Sequence, residues 1–344
     1  MVKVITFGCR INSYESEVIK EKLHDFDNLI VINTCAVTAE AERQCRQTIR
    51  KLKRDYPQAE IIVTGCSAQL NADKLADMPE VSLVLGNKEK KDIEKYVNAI
   101  FSDKKQVSDI FGDDRCEDYI ITGFEGRHKA FVQVQQGCNH RCTYCIVPYA
   151  RGRNRSVPAE LVVKQIKKLL DSGFSEICLT GIDLCSYEPS LSFLVEYIMT
   201  EIPNLPKLSF GSLDPAKIDN NFINLLHKYK NIFPYFHLSI QSGDNDVLKI
   251  MGRRHRREDV INLCHKIKEI RNEVKFGADF ICGFPTETDK AFQNTCDLVK
   301  EAGLNKLHVF PYSERPGTPA AKMEQIPMVE RRRRAAVLRN LSEE

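Results

Sequence analysis

The stretch AFVQVQQGCNHRCTYC, residues 130–145, decides how this sequence folds. Its first part, Ala130–Gln135, is a short apolar run with β-branched and aromatic residues, which is typical of a buried strand. Cys138, Cys142 and Cys145 follow directly, spaced C-x-x-x-C-x-x-C in a loop. Three thiolates can hold three irons of a [4Fe–4S] cluster and leave the fourth without a protein ligand, and an open position is typical of catalytic metal sites. The stretch therefore predicts a strand with an open iron–sulfur cluster at its carboxyl end.

Two other interpretations of these three cysteines compete with the cluster. One is a zinc site that recruits His140, although zinc usually prefers paired C-x-x-C ligands. The other is a set of buried core cysteines, which is difficult to reconcile with a loop flanked by Gly137, Asn139 and Arg141. The cluster is the preferred interpretation.

Downstream of this loop, and including its strand, the pattern of a strand followed by a helix occurs six times. Six such units fall short of a closed eight-stranded barrel, so residues 127–344 are expected to form a partial (β/α)6 barrel with a C-terminal helix, and its chemistry to lie at the carboxyl ends of the strands. The predicted strands are Ala130–Gln135, Glu176–Thr180, Lys207–Gly211, Tyr235–Gln241, Lys275–Ile281 and Lys306–Pro311. The predicted helices are Leu161–Leu170, Leu191–Ile202, Asn221–Tyr229, Glu258–Ile270, Ala291–Glu301 and Val329–Leu341.

Upstream, residues 1–102 alternate short β-branched runs with amphipathic stretches. This pattern is typical of a small open α/β sheet with parallel strands, so the fold class is α/β in both parts of the chain. A charged segment without periodicity, residues 103–126, is interpreted as a linker. The predicted strands are Val2–Phe7, Leu29–Asn33, Ile61–Thr64 and Val81–Leu85, and the helices between them are Ser13–Leu23, Val37–Tyr56 and Ala72–Met78.

Three cysteines of the N-terminal sheet occupy equivalent positions. Cys9, Cys35 and Cys66 each follow a predicted strand, in the sequences ITFGC, VINTC and IVTGC. Because the carboxyl ends of parallel strands lie along one edge of a sheet, these thiols are expected to converge and to hold a second open cluster. The other seven cysteines are not expected to be ligands. Packing explains Cys178, Cys264, Cys282 and Cys296, whereas Cys45 lies within a predicted helix, Cys116 in the linker and Cys185 near a loop.

The composition narrows the class of protein. No signal peptide and no apolar run of about 20 residues is found, so a soluble, cytoplasmic protein with no membrane contact is expected. Thirteen cysteines in such a protein are more often metal ligands or buried residues than disulfides. The net charge of +3 is too small to indicate nucleic-acid binding by itself, so any basic footprint must be local.

At the level of longer motifs, the sequence resembles the radical S-adenosylmethionine methylthiotransferases over nearly its whole length. The N-terminal part is similar to the family's methylthiotransferase domain, and residues 127–344 to its radical S-adenosylmethionine core. The resemblance implies two [4Fe–4S] clusters and S-adenosyl-L-methionine as cofactors. The segments that carry it are GCRINSYESE, VINTCAVTAEAER, VTGCSAQ, QGCNHRCTYCIVPYARGRNRS, LTGID, HLSIQSG, ICGFPTET and HVFPYSERPGTPAA.

Three branches of this family differ in substrate. Arg10 after the first cysteine, the segment 148–152 (PYARG) and the run 308–312 (HVFPY) look most like the branch that modifies N6-threonylcarbamoyladenosine in tRNA. Ala150 stands where the isopentenyladenosine branch typically has Thr, and the sequence that usually follows the first cysteine of the ribosomal-protein aspartate branch is absent. Methylthiolation at C2 of N6-threonylcarbamoyladenosine is therefore the expected reaction. The two other substrates remain alternatives, as does a non-catalytic iron–sulfur protein that binds RNA or carries electrons.

The resemblance also implies roles for individual residues and partners. The barrel cluster would generate an adenosyl radical, and the second cluster would present the sulfur that is transferred. Tyr144, Gly181, Ser239, Gln241 and Gly283 are expected to contact S-adenosylmethionine, while no catalytic residue beyond the cluster ligands is predicted. The expected partners are a tRNA, a sulfur donor and an electron donor such as flavodoxin or ferredoxin, and the chain is expected to be a monomer.

RNA binding poses a separate question. Relatives normally carry a small all-β TRAM domain after the barrel, and here the sequence ends at Glu344, so either the chain is truncated or it binds RNA in another way. Arg151, Arg153 and Arg155 follow the cluster loop and are predicted to contact RNA phosphates. Arg253, Arg254, Arg256 and Arg257 form a second basic stretch, and Arg331–Arg334 form a third.

Overall fold

The computed structural model describes residues 2–97, 103–113, 119–124 and 126–341. Cys116 lies outside the described residues. The chain divides into two compact units that are both discontinuous in sequence. The first unit comprises Met1–Asn139, Ile146–Phe174 and Thr180–Ile182, and the second comprises His140–Cys145, Ser175–Leu179 and Asp183–Glu344.

A parallel five-stranded sheet in the order β1-β2-β3-β4-β5 forms the centre of the first unit. The predicted open α/β sheet is confirmed, and the segment predicted as a linker adds β5 to its edge. The strands are β1 (Lys3–Thr6), β2 (Leu29–Thr34), β3 (Glu60–Gly65), β4 (Leu83–Leu85) and β5 (Lys105–Gln106). The helices are α1 (Arg10–Lys22), α2 (Ala39–Asp55), α3 (Cys66–Leu70), α4 (Ala72–Ala76) and α5 (Ile93–Val97).

Strand β2 shows why this sequence forms a sheet covered on both faces. All six of its residues, LIVINT, are buried, as expected for a central parallel strand. Ile30 and Ile32 pack in one apolar cluster with residues of α2 and β3. Leu29 and Val31 pack in another cluster, with residues of α1 and α5. The period of two in a strand therefore divides one apolar run between two cores.

The sheet turns sharply into its helices at the carboxyl ends of its strands. Gly8 (φ 93°) and Gly65 (φ 94°) adopt backbone conformations that favour glycine. Cys9 is the N-cap residue of α1, and Cys66 is the first residue of α3. Thr38 caps α2 by accepting a hydrogen bond from the Ala41 amide at 3.1 Å. These short connections keep the residues that follow β1, β2 and β3 at one edge of the sheet.

Further elements of the first unit come from the chain on either side of the loop that carries Cys138, Cys142 and Cys145, here called the thiol loop. Strands β7 and β8 pair in an antiparallel manner, with Gln136 opposite Arg155. The short helix within this segment was not predicted. The elements are β6 (Lys129–Gln133), β7 (Gln135–Gln136), α6 (Val147–Arg151), β8 (Arg155–Ser156) and α7 (Ala159–Asp171).

The second unit contains the remaining βα repeats. Strand β9 (Glu176–Thr180) pairs in parallel with β10 (Leu208–Phe210), and a four-stranded parallel sheet has the order β11-β12-β13-β14. The strands of the latter are β11 (Ser212–Leu213), β12 (Tyr235–Gln241), β13 (Lys275–Cys282) and β14 (Leu304–Pro311). The helices are α8 (Leu191–Glu201), α9 (Asn220–Lys228), α10 (Asn245–Met251), α11 (Arg257–Ile270), α12 (Asp289–Glu301) and α13 (Met328–Asn340). Each predicted βα unit is present, so the α/β class with six repeats is confirmed.

The four-stranded sheet has two different faces. Phe236 of β12 packs edge-on against Phe222 of α9, and it also contacts Phe276 of β13. These residues alternate along the strands with polar ones, so the helices cover one face. We call the opposite face of β12, β13 and β14 the inner face. No helix in the described part of the chain is both long enough and apolar enough to cross a bilayer.

Candidate functional site

The structure brings Cys9, Cys35 and Cys66 together in the first unit. A Cβ atom placed on Gly8 would lie 2.8 Å from Cys35 Cβ and 2.9 Å from Cys35 Sγ, so the backbone beside Cys9 passes directly over the Cys35 thiol. Burial, followed by the neighbouring Cys66 thiol, raises the pKa of Cys35 to about 12. Three sulfur ligands from three strand ends are the donor set that an open iron–sulfur cluster requires, so these residues fit that group.

A buried guanidinium lies against this thiol group. Arg151 Nε donates a hydrogen bond to Cys66 Sγ at 3.1 Å, and the side chain is only 1% exposed. The same guanidinium donates hydrogen bonds to Glu15 and to Asn12. The prediction that Arg151 contacts RNA phosphates is therefore wrong, because a side chain buried among protein partners cannot reach a phosphate.

Glu15 connects this guanidinium to a second buried cation. Lys90 Nζ lies 2.5 Å from Glu15 Oε2, and Gln136 Nε2 donates to Glu15 Oε1 at 3.1 Å. Although burial alone would raise it, Arg151 and Lys90 lower the pKa of Glu15 to about 2. Burial and the charge of Arg151 lower the pKa of Lys90 to about 8. Burial raises the pKa values of Cys9 and Cys35 above their usual value and outweighs the charge of Arg151, which acts to lower both.

The second thiol group lies on the loop that follows β6 and β7. Cys138 belongs to the first unit, where its amide donates to Gly152 O at 3.1 Å. Cys142 and Cys145 belong to the second unit, in a tight turn with Cys145 N donating to Cys142 O at 3.0 Å. Thr143 fixes this turn, since its amide donates to Met251 O and its carbonyl accepts from Ala320 N, both at 2.9 Å.

Cys142 also has an arginine beside its sulfur. Arg253 Nη1 lies 3.8 Å from Cys142 Sγ, while Nη2 donates to Ser239 O at 2.6 Å. Asp214 lies 3.3 Å from the same guanidinium and also pairs with Arg254. Although burial opposes it, His255 and the two arginines hold the pKa of Asp214 well below its usual range. This network fixes the Cys142 sulfur relative to the middle of β12.

The predicted cofactor residues occupy strand ends. Tyr144 packs on an apolar cluster of the second unit that includes Met251 and Phe284, and burial raises its pKa well above the usual value. Gln241 at the end of β12 has φ 79°, a left-handed conformation that is rare for a residue with a side chain. Gly283 directly follows β13, and a Cβ there would collide with Arg331, so only glycine fits.

Ser239 and Gly181 complete this set. Ser239 lies on the inner face of β12, two residues before Gln241. Gly181 directly follows β9 and belongs to the first unit. The roles of all five residues as cofactor contacts remain predictions.

The other basic residues differ in how accessible they are. Arg153 is exposed, and its role in RNA binding stays a prediction. The Arg155 side chain is 8% exposed and donates to the carbonyls of Arg153 and Arg151, and its assignment to RNA stays a prediction. Arg331 and Arg334 are buried, and they bind the Tyr312 carbonyl and the Glu287 carboxylate rather than forming a solvated basic patch.

Several polar residues around the two thiol groups were not predicted. Asn12 and Glu15 lie three residues apart on α1, so they share one face of the helix that begins at Cys9. Their position just after a strand-end cysteine is a signal that the sequence contains. Lys90 and Asp214 carry no such local signal, because their partners are distant in sequence. Arg253 was named only as part of a basic stretch, and its contact with Cys142 is equally distant in sequence.

Two family models match the chain. One, described as the radical SAM superfamily, matches residues 132–299, and the other, described as uncharacterized protein family UPF0004, matches residues 1–86. The threonylcarbamoyladenosine tRNA methylthiotransferase MtaB of Rickettsia prowazekii (strain Madrid E) is 46% identical, covering 98% of this chain and 82% of that protein. The tRNA-2-methylthio-N(6)-dimethylallyladenosine synthase of Rickettsia conorii (strain ATCC VR-613 / Malish 7) is 31% identical, covering 94% and 79%.

A solved structure supports the fold. The radical S-adenosylmethionine methyltransferase TsrM from Kitasatospora setae, with tryptophan and a cofactor analogue bound, superposes with a TM-score of 0.66. The alignment covers 91% of this chain and 67% of that one at 16% identity. At this identity the likeness concerns the fold alone.

Proposed function

This chain belongs to the radical S-adenosylmethionine methylthiotransferase family, and we propose that it adds a methylthio group to C2 of N6-threonylcarbamoyladenosine in tRNA. The observation that carries the proposal is the convergence of Cys9, Cys35 and Cys66 at three strand ends, in a chain that also has the C-x-x-x-C-x-x-C loop. An enzyme that makes radicals and also delivers sulfur needs two such thiol groups. A simple electron carrier does not need a cofactor-binding barrel.

The cofactors of this reaction are two [4Fe–4S] clusters and S-adenosyl-L-methionine. Cys138, Cys142 and Cys145 would hold one cluster, and the strand-end thiols would hold the other. When bound, these groups supply the radical chemistry and the transferred sulfur.

The chain's own residues position and shield these groups. Arg253 contacts both the Cys142 sulfur and the Ser239 carbonyl, which holds Cys142 close to β12. The conformation of Gln241 costs on the order of 1–3 kcal/mol, and such strain is characteristic of residues that bind ligands. Arg151 and Lys90 supply positive charge at the first thiol group, where it balances the thiolates.

The choice of substrate rests on similarity. The relative that is 46% identical is named for threonylcarbamoyladenosine, whereas the one named for dimethylallyladenosine is 31% identical. N6-isopentenyladenosine in tRNA is the alternative substrate. Both reactions take place on the same ring position, so the distinction lies in the group carried on N6.

Further parts of the proposal concern organisation and partners. We assign residues 1–102 to the sulfur-delivering domain, 103–126 to the connection, and 127–344 to the radical-forming core. The partners are a tRNA, a sulfur donor and a flavodoxin-like or ferredoxin-like electron donor. The protein acts as a monomer in the cytoplasm, where its RNA substrate is found.

An anaerobic assay tests this function. Protein reconstituted with iron and sulfide is reduced and incubated with S-adenosylmethionine and two anticodon stem-loop RNAs, one with N6-threonylcarbamoyladenosine and one with N6-isopentenyladenosine. We expect 5′-deoxyadenosine together with a methylthio product from the first RNA only, measured by nucleoside mass spectrometry. Product from only the second RNA would reassign the substrate, and no 5′-deoxyadenosine with either RNA would refute the enzyme.

Triple substitutions separate the two thiol groups in the same assay. Changing Cys138, Cys142 and Cys145 to Ala should remove about half the iron and all cofactor cleavage. Changing Cys9, Cys35 and Cys66 to Ala should also remove about half the iron, but cofactor cleavage should continue while methylthiolation stops. Iron content equal to that of the unmodified protein would contradict the ligand assignment.

A further inference from the structure

A histidine–aspartate–histidine group lies on the inner face of the second unit. His237 of β12 lies with Nε2 3.0 Å from Asp279 Oδ1 on β13, and His308 of β14 lies with Nδ1 3.5 Å from the same oxygen. The two imidazole rings are 4.6 Å apart between centroids. Three adjacent strands thus contribute one residue each to a single polar group.

The neighbourhood of this group is shaped to hold it. Tyr235 Oη lies 3.2 Å from His237 Nδ1, so both nitrogens of this buried ring face polar atoms. Gly277 lies on β13, two residues before Asp279. A Cβ at this position would lie 2.6 Å from His237 Nδ1, so glycine leaves room for the His237 ring. The His237 ring is therefore enclosed by protein atoms.

The other side of the histidine–aspartate–histidine group is open to solvent. The His308 side chain is 45% exposed, and its Nε2 makes no hydrogen bond with the described residues. Lys306 lies two residues before His308, on the same face of β14 about 7 Å along the strand, and its ammonium has no partner within the described ranges. Leu307 and Val309, between and beyond them, are buried on the helix-covered face. The inner face of β14 thus presents the His308 imidazole and the Lys306 ammonium to solvent.

Asp279 is ionised and orients the His308 ring. Although burial opposes it, hydrogen bonds with His237 and His308 lower the pKa of Asp279 to about 2, so it is a carboxylate under ordinary conditions. Its contact with His308 Nδ1 orients that ring and directs Nε2 away from the sheet. A carboxylate that accepts from Nδ1 stabilises the imidazolium form of the ring, in which Nε2 also carries a proton and can donate to an anion.

The group lies one step along the strand from the predicted cofactor residues. His237 and Ser239 are successive inner-face positions of β12, about 7 Å apart. Gln241 is the next position, at the carboxyl end. The group therefore lies beside the strand end where chemistry is expected in this fold.

We propose that His308, oriented by Asp279, and the nearby Lys306 bind the carboxylate of the N6-threonylcarbamoyl group of the substrate. The inference rests on the proposed function and assigns the recognition of that substituent to specific residues. An isopentenyl group carries no charge and would leave these donors unpaired, so the same residues would discriminate against it.

The test compares a charged and an uncharged form of one substrate. The RNAs are an anticodon stem-loop with N6-threonylcarbamoyladenosine and the same stem-loop with its threonyl carboxylate methyl-esterified. For the His308→Ala and Lys306→Ala variants we expect KM for the acid to rise about tenfold each, with kcat changed by less than about threefold. For the ester we expect both variants to have the same KM as the unmodified protein. The ester carries no carboxylate charge, so the interaction with His308 and Lys306 is already absent.

The matched control is His227→Ala, which removes an exposed histidine from α9. Iron content and RNA-independent formation of 5′-deoxyadenosine should be equal in all variants, which shows that the fold and the cofactor sites are intact. Equal preference of the unmodified protein for acid and ester, or equal effects of the variants on both, would overturn the inference. Failure of the unmodified protein to act on either RNA would instead refute the proposed function.

A metal ion is the competing occupant of this group. The ligand atoms of His237, Asp279 and His308 all lie within 4.8 Å of one another, a spacing that a divalent ion could bridge. Zinc and manganese content of the iron-loaded protein, measured before and after the Asp279→Asn substitution, decides between the two. One equivalent of metal that is lost in the variant would overturn the carboxylate site.

Discussion

At the scale of single residues, an arginine donates to a cysteine in each thiol group. Arg151 donates to Cys66 Sγ, and Arg253 approaches Cys142 Sγ. Hydrogen bonds to cluster sulfurs and nearby positive charge favour the reduced form of an iron–sulfur cluster, because reduction adds negative charge. These arginines are therefore expected to influence electron affinity as well as structure.

The first prediction concerns Arg151. In a background where Cys138, Cys142 and Cys145 are changed to Ala, the substitution Arg151→Ala should make the reduction potential of the remaining cluster more negative by on the order of 60–120 mV. Redox titration followed by electron paramagnetic resonance measures this shift. Arg153→Ala is the matched control, since Arg153 is exposed, and an equal shift in both variants would contradict the role of the hydrogen bond.

The second prediction concerns the acid dependence of Glu15. Its pKa is about 2 in the folded protein and about 4.5 when unperturbed, so its stabilising effect is fully present above pH 4.5 and is lost as the pH falls towards 2. Glu15→Gln should destabilise the metal-free protein by about 3 kcal/mol at pH 6, because two buried cations lose their partner. The difference between the two proteins should shrink as the pH falls below 4.5.

Anaerobic urea unfolding at pH 6.0 and pH 3.5 measures this difference. A gap between the proteins that is equal at both pH values would show that Glu15 does not titrate in this window. Glu17→Gln provides the control, because Glu17 lies on the same helix and pairs with the nearby Lys20.

At the scale of elements, the turns after the strands determine where the thiols lie. Gly65 (φ 94°) ends β3, and a Cβ there would lie 2.5 Å from both Thr34 N and Thr34 O. Gly173 (φ 89°) follows α7 with no atom within 4 Å of the same position. The two glycines share a backbone conformation and differ in the space around them.

The third prediction uses this pair. Gly173→Ala should cost about 1–2 kcal/mol from the left-handed conformation alone. Gly65→Ala should cost several kcal/mol more and should lower the iron bound by the first thiol group, because β2 and the turn to Cys66 must separate. Unfolding and iron analysis check both effects, and equal losses for the two variants would mean that close packing against Thr34 is unimportant.

The same scale shows which elements local sequence can predict. Strand β12, Tyr235–Gln241, has the predicted bounds, because alternation of apolar and polar side chains is encoded within the strand itself. Helix α6 was missed, since its five residues begin around Pro148 and are too few to show a helical period. Arg151 was assigned to RNA because its partner Glu15 lies 136 residues away. Charge in a sequence says nothing about distant burial.

At the scale of the whole molecule, cysteine placement was more predictable than its surroundings. The convergence of Cys9, Cys35 and Cys66 follows from parallel topology, which brings residues after successive strands to one edge. The buried cations around them follow from tertiary packing, which one sequence does not reveal. The histidine–aspartate–histidine group was less predictable than the cysteines, because Asp279 lies opposite His308 only through a register shift in the pairing of β13 with β14.

The discontinuous first unit also bears on how the molecule can be divided. Helix α6 places Ile146 and Ala150 in one apolar cluster with Ala36 and Cys66, and Asn87 donates to the Ala150 carbonyl at 2.7 Å. Chimaeras that exchange the amino-terminal sheet between relatives should therefore carry residues 146–174 with it. A splice at residue 126 would place Glu15 against helix α6 of the other relative. The boundary at which domains can be exchanged therefore differs from the one that chain order suggests.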